Sequence, residues 1–282
     1  MPLVLVLAPV PAVLLGALVM RHAGIPSSTW GQNLAATVLG AGLVLATHRA
    51  RGALTSPARA SGIVAMGALA LLGATFLHRG IDGVHRWVSL GSVPLHAGAV
   101  VLPPLLVLLV RRHRTGSAVM ALVTLCVLWR QPDAAQAGAF ALAWSVARAA
   151  ERGRAAAWAI TAALLLAVAT AVRADPLPPV AYVEGIVGMA ARAGSTWGIA
   201  SLAALTLPPL AWLRANDRET GLAMAAYVVG TLGAAWLGSF PVPYLGYGVS
   251  PILGYYLAMV VSAPAMTAPT ALSERIADGR DV

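Results

Sequence analysis

The sequence predicts an all-α polytopic membrane protein of about ten transmembrane helices, and three observations carry that reading. Hydrophobic residues make up 59% of the chain and charged residues only 10%, with a mean hydropathy of +0.79. A soluble surface needs far more charge, so the solvent around most of this chain is lipid. Apolar runs recur along the whole chain at about the length of a hydrocarbon crossing, roughly 17 to 25 residues. All nineteen basic residues are arginines, and they fall in short segments between those runs, the pattern of membrane orientation.

Arginine, proline and glycine punctuation divides the chain into its elements. The first span, 3–20, ends at Arg21, and the second, 31–47, ends before Arg49 and Arg51. The third, 61–78, stops at Arg79; the fourth, 98–110, runs into Arg111, Arg112 and Arg114. Arg130 closes the fifth, 117–129, and Arg148 the sixth, 134–147. The seventh, 155–172, lies between Arg154 and Arg173, and the eighth, 197–213, ends at Arg214. The ninth, 220–239, follows Arg218, and the tenth, 251–267, starts at Pro251. Several of these are short for a full crossing and borrow flanking residues. Residues 1–282 form one integral membrane domain, with no segment left over for a soluble one.

Orientation follows from the arginine count. A cytoplasmic N-terminus puts thirteen arginines on the cytoplasmic side, Arg275 and Arg280 of the tail among them, against six outside: Arg21, Arg79, Arg86, Arg130, Arg173 and Arg192. That distribution predicts cytoplasmic termini. The outward loops are then 21–30, 79–97, 130–133, 173–196 and 240–250, and three of them hold clustered His, Asp, Trp, Tyr and Pro, whereas the inward loops hold mostly Arg, Ala and Gly. No cleaved signal peptide is expected, because Met1–Met20 has no basic leader. Scattered loop arginines give no phosphate-tracking face, so nucleic acid is excluded as a partner. The single cysteine, Cys126, lies in an apolar run and offers neither a disulfide framework nor a thiolate metal cluster.

Three outward segments carry candidate chemistry. In Gly83-Val84-His85-Arg86-Trp87-Val88-Ser89-Leu90-Gly91 an arginine beside a tryptophan can grip an anionic head group at the membrane boundary, or serve in an aromatic belt. In Arg130-Gln131-Pro132-Asp133 an acid faces protein or water, not lipid, and pairing with Arg130 or Arg86 and capping of the next helix are both open. In Phe240-Pro241-Val242-Pro243-Tyr244-Leu245-Gly246-Tyr247-Gly248 two prolines and two glycines impose an irregular backbone, tolerated at membrane depth only against protein or a watery cavity.

In order and spacing these segments resemble the signposts of the SEDS family of FtsW, RodA and SpoVE: GxxRWxxLG after a third span, QPD after a fifth, and Pro-x-Pro-aromatic-x-x-Tyr-Gly before the last. Trp30 and Gln32 are smaller echoes, and the resemblance runs from about residue 30 to 262. It implies a glycosyltransferase that polymerises lipid II, an undecaprenyl-linked glycan, at the outer face of the bacterial cytoplasmic membrane. A class B penicillin-binding protein is the partner it implies. Arg86 becomes a phosphate-side candidate, with Trp87, Gln131, Asp133, Tyr244 and Tyr247 shaping a substrate cavity. No resident cofactor is implied; a divalent cation accompanying the lipid diphosphate is compatible with the chemistry.

The pattern departs in two places. Where the family reads Gln-Pro-Ser-Glu after its first signpost, this chain has Leu95-His96-Ala97-Gly98. The loop that holds the family's essential aspartate shrinks here to 173–196 and keeps only Asp175 and Glu184 as carboxylates. Glu184 is the better candidate for a replacement catalytic base and Asp175 the second, against the plainer reading of Glu184 as a solvated residue on an interfacial helix. The alternatives from other classes are a non-catalytic lipid II-binding or division-partner protein, a precursor flippase, and a metal enzyme using His78, Asp82, His85 and His96.

Overall fold

In a computed structural model, residues 3–49, 57–77, 79–91, 93–111, 114–173, 175–238 and 240–262 are described, leaving aside the side chains of 57–61 and 114. Helices occur at all ten predicted positions. α1 (Leu3–Leu7) and α2 (Val10–His22) share the first, broken at Ala8-Pro9 because Pro9 has no N–H to continue the ladder. Then come α3 (Ser27–Arg49), α4 (Pro57–Ala74) with a 3-10 turn at Thr75–Leu77, α5 (Ala97–Val110), α6 (Arg114–Arg130), α7 (Ala134–Arg148) and α8 (Arg154–Ala171). A short α9 (Ile186–Ala193) precedes α10 (Ser195–Trp212), α11 (Arg218–Leu237) and α12 (Val249–Ser262). Residues 263–267 of the predicted tenth span lie outside the described residues.

The chain is all-α as expected, with two short elements added in the loops. Trp87–Leu90 (β1) and Val93–His96 (β2) form an antiparallel hairpin, and α9 interrupts what the sequence reading left as a loop.

α5 is the axis of the bundle: every one of its residues is buried, and α4, α7, α11 and α12 pack around it. Fourteen residues rise only about 21 Å, short of a hydrocarbon core of about 30 Å, which a helix enclosed by protein need not match. The outer rods do meet lipid. On α8, Trp158 is 72% and Val172, just past its end, 78% exposed, a surface that water would not tolerate and lipid does. Leu3–His22, Arg154–Ala171 and Arg218–Leu237 have the length and hydropathy of a crossing; Gly62–Leu77, Ala97–Val110, Thr115–Arg130 and Val249–Ser262 are shorter apolar helices.

Packing relies on small residues, as expected where lipid supplies no hydrophobic drive between helices. The closest approach is α12 onto α5. Pro103 lacks an N–H, so the Ala99 carbonyl one turn before it has no helical donor. Gly254 sits against that carbonyl, and a Cβ there would lie 2.0 Å from Ala99 O. Gly254→Ala is therefore expected to push α12 off α5 and cost about 1–3 kcal/mol, read as a lowered thermal midpoint in detergent. An unchanged midpoint would mean that the two helices are not held this close.

At the opposite end of α7 from Asp133, the buried Arg148 closes the α5 C-terminus. Its guanidinium donates to Leu109 O, to Val110 O at 3.3 Å and to Ser117 Oγ at 3.0 Å, and pairs with Glu151 at 2.8 Å. A cation there answers both the free carbonyls and the negative end of the helix dipole.

Candidate functional site

The site is built by four irregular segments at one end of the bundle. The first is the hairpin. Ile81 and Val84 bridge across a tight turn in which Asp82 (φ 49°) and Gly83 (φ 77°) both take positive φ, the Asp-Gly signature of such turns. Asp82 is thereby a turn residue, and Arg86 leaves the turn with its carbonyl accepting from Ala97 N–H at 2.8 Å, at the first turn of α5. In the hairpin register Trp87 faces His96, and their rings meet edge-on at 5.6 Å.

The second segment is the turn between α6 and α7. Asp133 is 1% exposed and caps α7 as an N-cap acid should, Oδ1 accepting from Gln136 N–H at 3.3 Å. Its Oδ2 lies 3.4 Å from His96 Nε2, an ion-pair distance too long for a good hydrogen bond. The anticipated pairing with Arg130 or Arg86 is replaced by this contact with His96. His96 Nδ1 in turn accepts from Ala99 N–H at 3.2 Å, capping α5 and leaving the neutral ring's proton on Nε2, toward Asp133. Burial holds the His96 imidazole below its ordinary pKa, with Asp133 pulling it back up and Arg86 adding to the depression.

The third is 175–185. Arg86 Nη1 donates to Asp175 Oδ2 at 2.8 Å and Nη2 donates to Pro132 O, so one guanidinium ties the hairpin, the α6–α7 turn and this segment together. Glu184 is in a turn before α9 and not on a helix: its Oε2 accepts from Val180 N–H at 2.6 Å. Burial pushes the Glu184 carboxyl above its ordinary value; two backbone N–H groups oppose that and the Asp175 charge adds to it.

The fourth is the Pro-rich loop before α12, and its irregular backbone is held by hydrogen bonds to the surrounding protein. Asn33 on α3 donates to Gly246 O at 2.9 Å and accepts from Gly248 N–H at 3.1 Å, and the Tyr247 hydroxyl donates to Gln32 at 3.0 Å. From the other side Val242 N–H and Tyr247 N–H donate to Val183 O and Tyr182 O. Only glycine fits at 246, where a Cβ would be 2.4 Å from Val183 O.

These segments enclose a cavity of about 240 Å³. Arg86, Trp87, Asp133, Asp175, Glu184, Tyr244 and Tyr247, seven of the eight residues the sequence singled out, line it. Gln131 does not. It is fully buried behind the wall, donating to Leu72 O at 3.0 Å and Thr75 Oγ1 at 2.8 Å, and it locks the end of α4 to the α6–α7 turn instead of shaping the cavity. The cavity also takes His96, Tyr227, Phe240 and Ser250, which the sequence reading did not assign to it; His96 reaches it through the hairpin register that sets it opposite Trp87. Among the described residues no cluster of three metal-ligating side chains forms, and His78 lies outside them.

Fold and cavity together define a polytopic helical membrane protein of SEDS-like architecture. Crystal structures of the rod shape determining protein RodA from Thermus thermophilus share it, both that of the protein and that of a variant with an aspartate replaced by alanine. Each gives a TM-score of 0.53 at 20% identity, over 92% of this chain and 94% of that one. No protein-family model matches the sequence, and neither does any curated protein.

Proposed function

We propose that this chain is a SEDS-type cell-wall protein of the bacterial cytoplasmic membrane, acting in cell shape or division. Its cavity opens to the outer leaflet, both termini are cytoplasmic, and a class B penicillin-binding protein is its partner. There it binds an undecaprenyl-linked glycan such as lipid II and transfers the glycan. The observation that carries this reading is a single cavity that brings a buried guanidinium, an interfacial tryptophan and a carboxylate of raised proton affinity to one end of a RodA-like bundle. Glu184 takes the proton of the attacking sugar hydroxyl as the new C–O bond forms at the anomeric carbon. The bond to the diphosphate oxygen breaks, and the diphosphate leaves with the electron pair, stabilised by Arg86.

Purified protein in nanodiscs, given fluorescent lipid II, tests this. Polymer is the expected product, and Arg86→Gln is expected to weaken lipid II binding; no binding to the unsubstituted protein would remove the proposal. The rate is expected to rise with pH through the Glu184 pKa, because the base works deprotonated, so the acidic limb lies above 4.5. A flat profile across that limb would take Glu184 out of the base role. Binding without polymer would support the second reading, a non-catalytic lipid II-binding partner, which the trimmed 173–196 loop favours.

A further inference from the structure

The cavity holds one guanidinium among three carboxylates, those of Asp133, Asp175 and Glu184. A diphosphate therefore meets a net negative wall unless a carboxylate gives way. Arg86 is built for an anion: it is 5% exposed, and a guanidinium has five N–H donors. Asp175 and Pro132 O use part of that set, while Nε is buried with no partner among the described residues. A buried donor left unmade is costly, so the group retains a demand for acceptor oxygens.

The two ends of the ion pair differ in how firmly they are held. Side-chain exposure is 6% for Arg86 and 25% for Asp175. Arg86 follows a tight turn and has its backbone bonded to the start of α5, whereas Asp175 sits in a segment without helix or strand, its other oxygen accepting from Leu177 N–H at 3.2 Å. Swinging Asp175 away exposes a carboxylate to water; moving Arg86 strands a buried cation. Any exchange at this pair moves the aspartate.

We propose that Asp175 is an internal stand-in for phosphate: it occupies the anion site of Arg86 until the diphosphate of the ligand takes its place, which frees the 175–185 segment. The inference rests on the reading of Arg86 as a phosphate ligand. It turns Asp175 from a candidate base into a competitor that sets affinity and couples ligand binding to the turn bearing Glu184. Phosphate offers the guanidinium bidentate acceptors of higher charge than one carboxylate oxygen, so the exchange runs toward the ligand.

The test is binding of inorganic pyrophosphate to the full chain in detergent by calorimetry, with Asp175→Asn, Asp175→Ser and Arg86→Gln. Asp175→Asn keeps a neutral acceptor and is expected to bind about 10-fold tighter, the equivalent of losing one competing charge-assisted hydrogen bond. Asp175→Ser should tighten binding as well, and Arg86→Gln should abolish it in every background. Hydrogen exchange of the unsubstituted protein needs no variant to fold: amides of 175–185 are expected to exchange faster when pyrophosphate is added. Binding that depends on Arg86 but is unchanged or weaker in the Asp175 variants, or exchange that slows or does not change, overturns the stand-in and leaves the Arg86 reading intact. Pyrophosphate binding that is absent, or indifferent to Arg86, removes both.

Discussion

Replacing Glu184 with glutamine is expected to slow glycan transfer by about 100- to 10,000-fold while lipid II still binds, the usual loss when a positioned base is removed. Glutamine is the informative substitution because its side-chain oxygen can still accept from Val180 N–H, the 2.6 Å bond that shapes the turn before α9. Alanine would remove both the base and the turn. The turn matters beyond Glu184, since Val183 O and Tyr182 O receive the backbone donors of the Pro-rich loop. A glutamine variant that loses binding together with activity would assign Glu184 a structural role. Full activity in a Glu184→Gln, Asp175→Asn double variant would remove both carboxylates from the base role.

Arg148→Met is expected to destabilise the bundle by about 3–5 kcal/mol, the range for breaking a buried charged contact. Methionine fills much of the volume but leaves Leu109 O, Val110 O and Ser117 Oγ without their shared donor and removes the 2.8 Å contact to Glu151. Ser117 Oγ also accepts from Trp144 Nε1–H at 3.0 Å, so the loss spreads to the α6–α7 contact. The readout is the thermal midpoint in detergent, against Arg218→Met, an exposed change expected to stay within about 0.5 kcal/mol. Equal midpoints for the two variants would show that the Arg148 cluster contributes nothing. Because Arg148 sits at the far end of α7 from Asp133, folded protein should keep its lipid II affinity.

The ten helices were legible because lipid leaves one strong signal, apolar length between arginines, and the boundaries moved by only a few residues: 134–147 became Ala134–Arg148 and 61–78 became Pro57–Leu77. The hairpin was not read because its alternation is brief and holds Pro94, a residue that argues against a strand except at an edge. α9 has only eight residues, with Gly188 among them, and its burial of Ile186 and Ala190 depends on neighbours that sequence does not reveal. At the site, residue types were legible and partners were not. Capping by Asp133 was one of two readings the sequence left open, and its contact with His96, the Arg86–Asp175 pair across 89 positions and the withdrawal of Gln131 behind the wall are products of tertiary packing.

Cryo-electron microscopy of the protein with lipid II bound in nanodiscs bears most directly on the account. The expected map has the diphosphate within hydrogen-bonding reach of the Arg86 guanidinium, the glycan beside Trp87 and Glu184, and Asp175 turned away from the pair it makes at 2.8 Å without ligand. Lipid II seated outside this cavity, or seated in it with its diphosphate remote from Arg86, would contradict it.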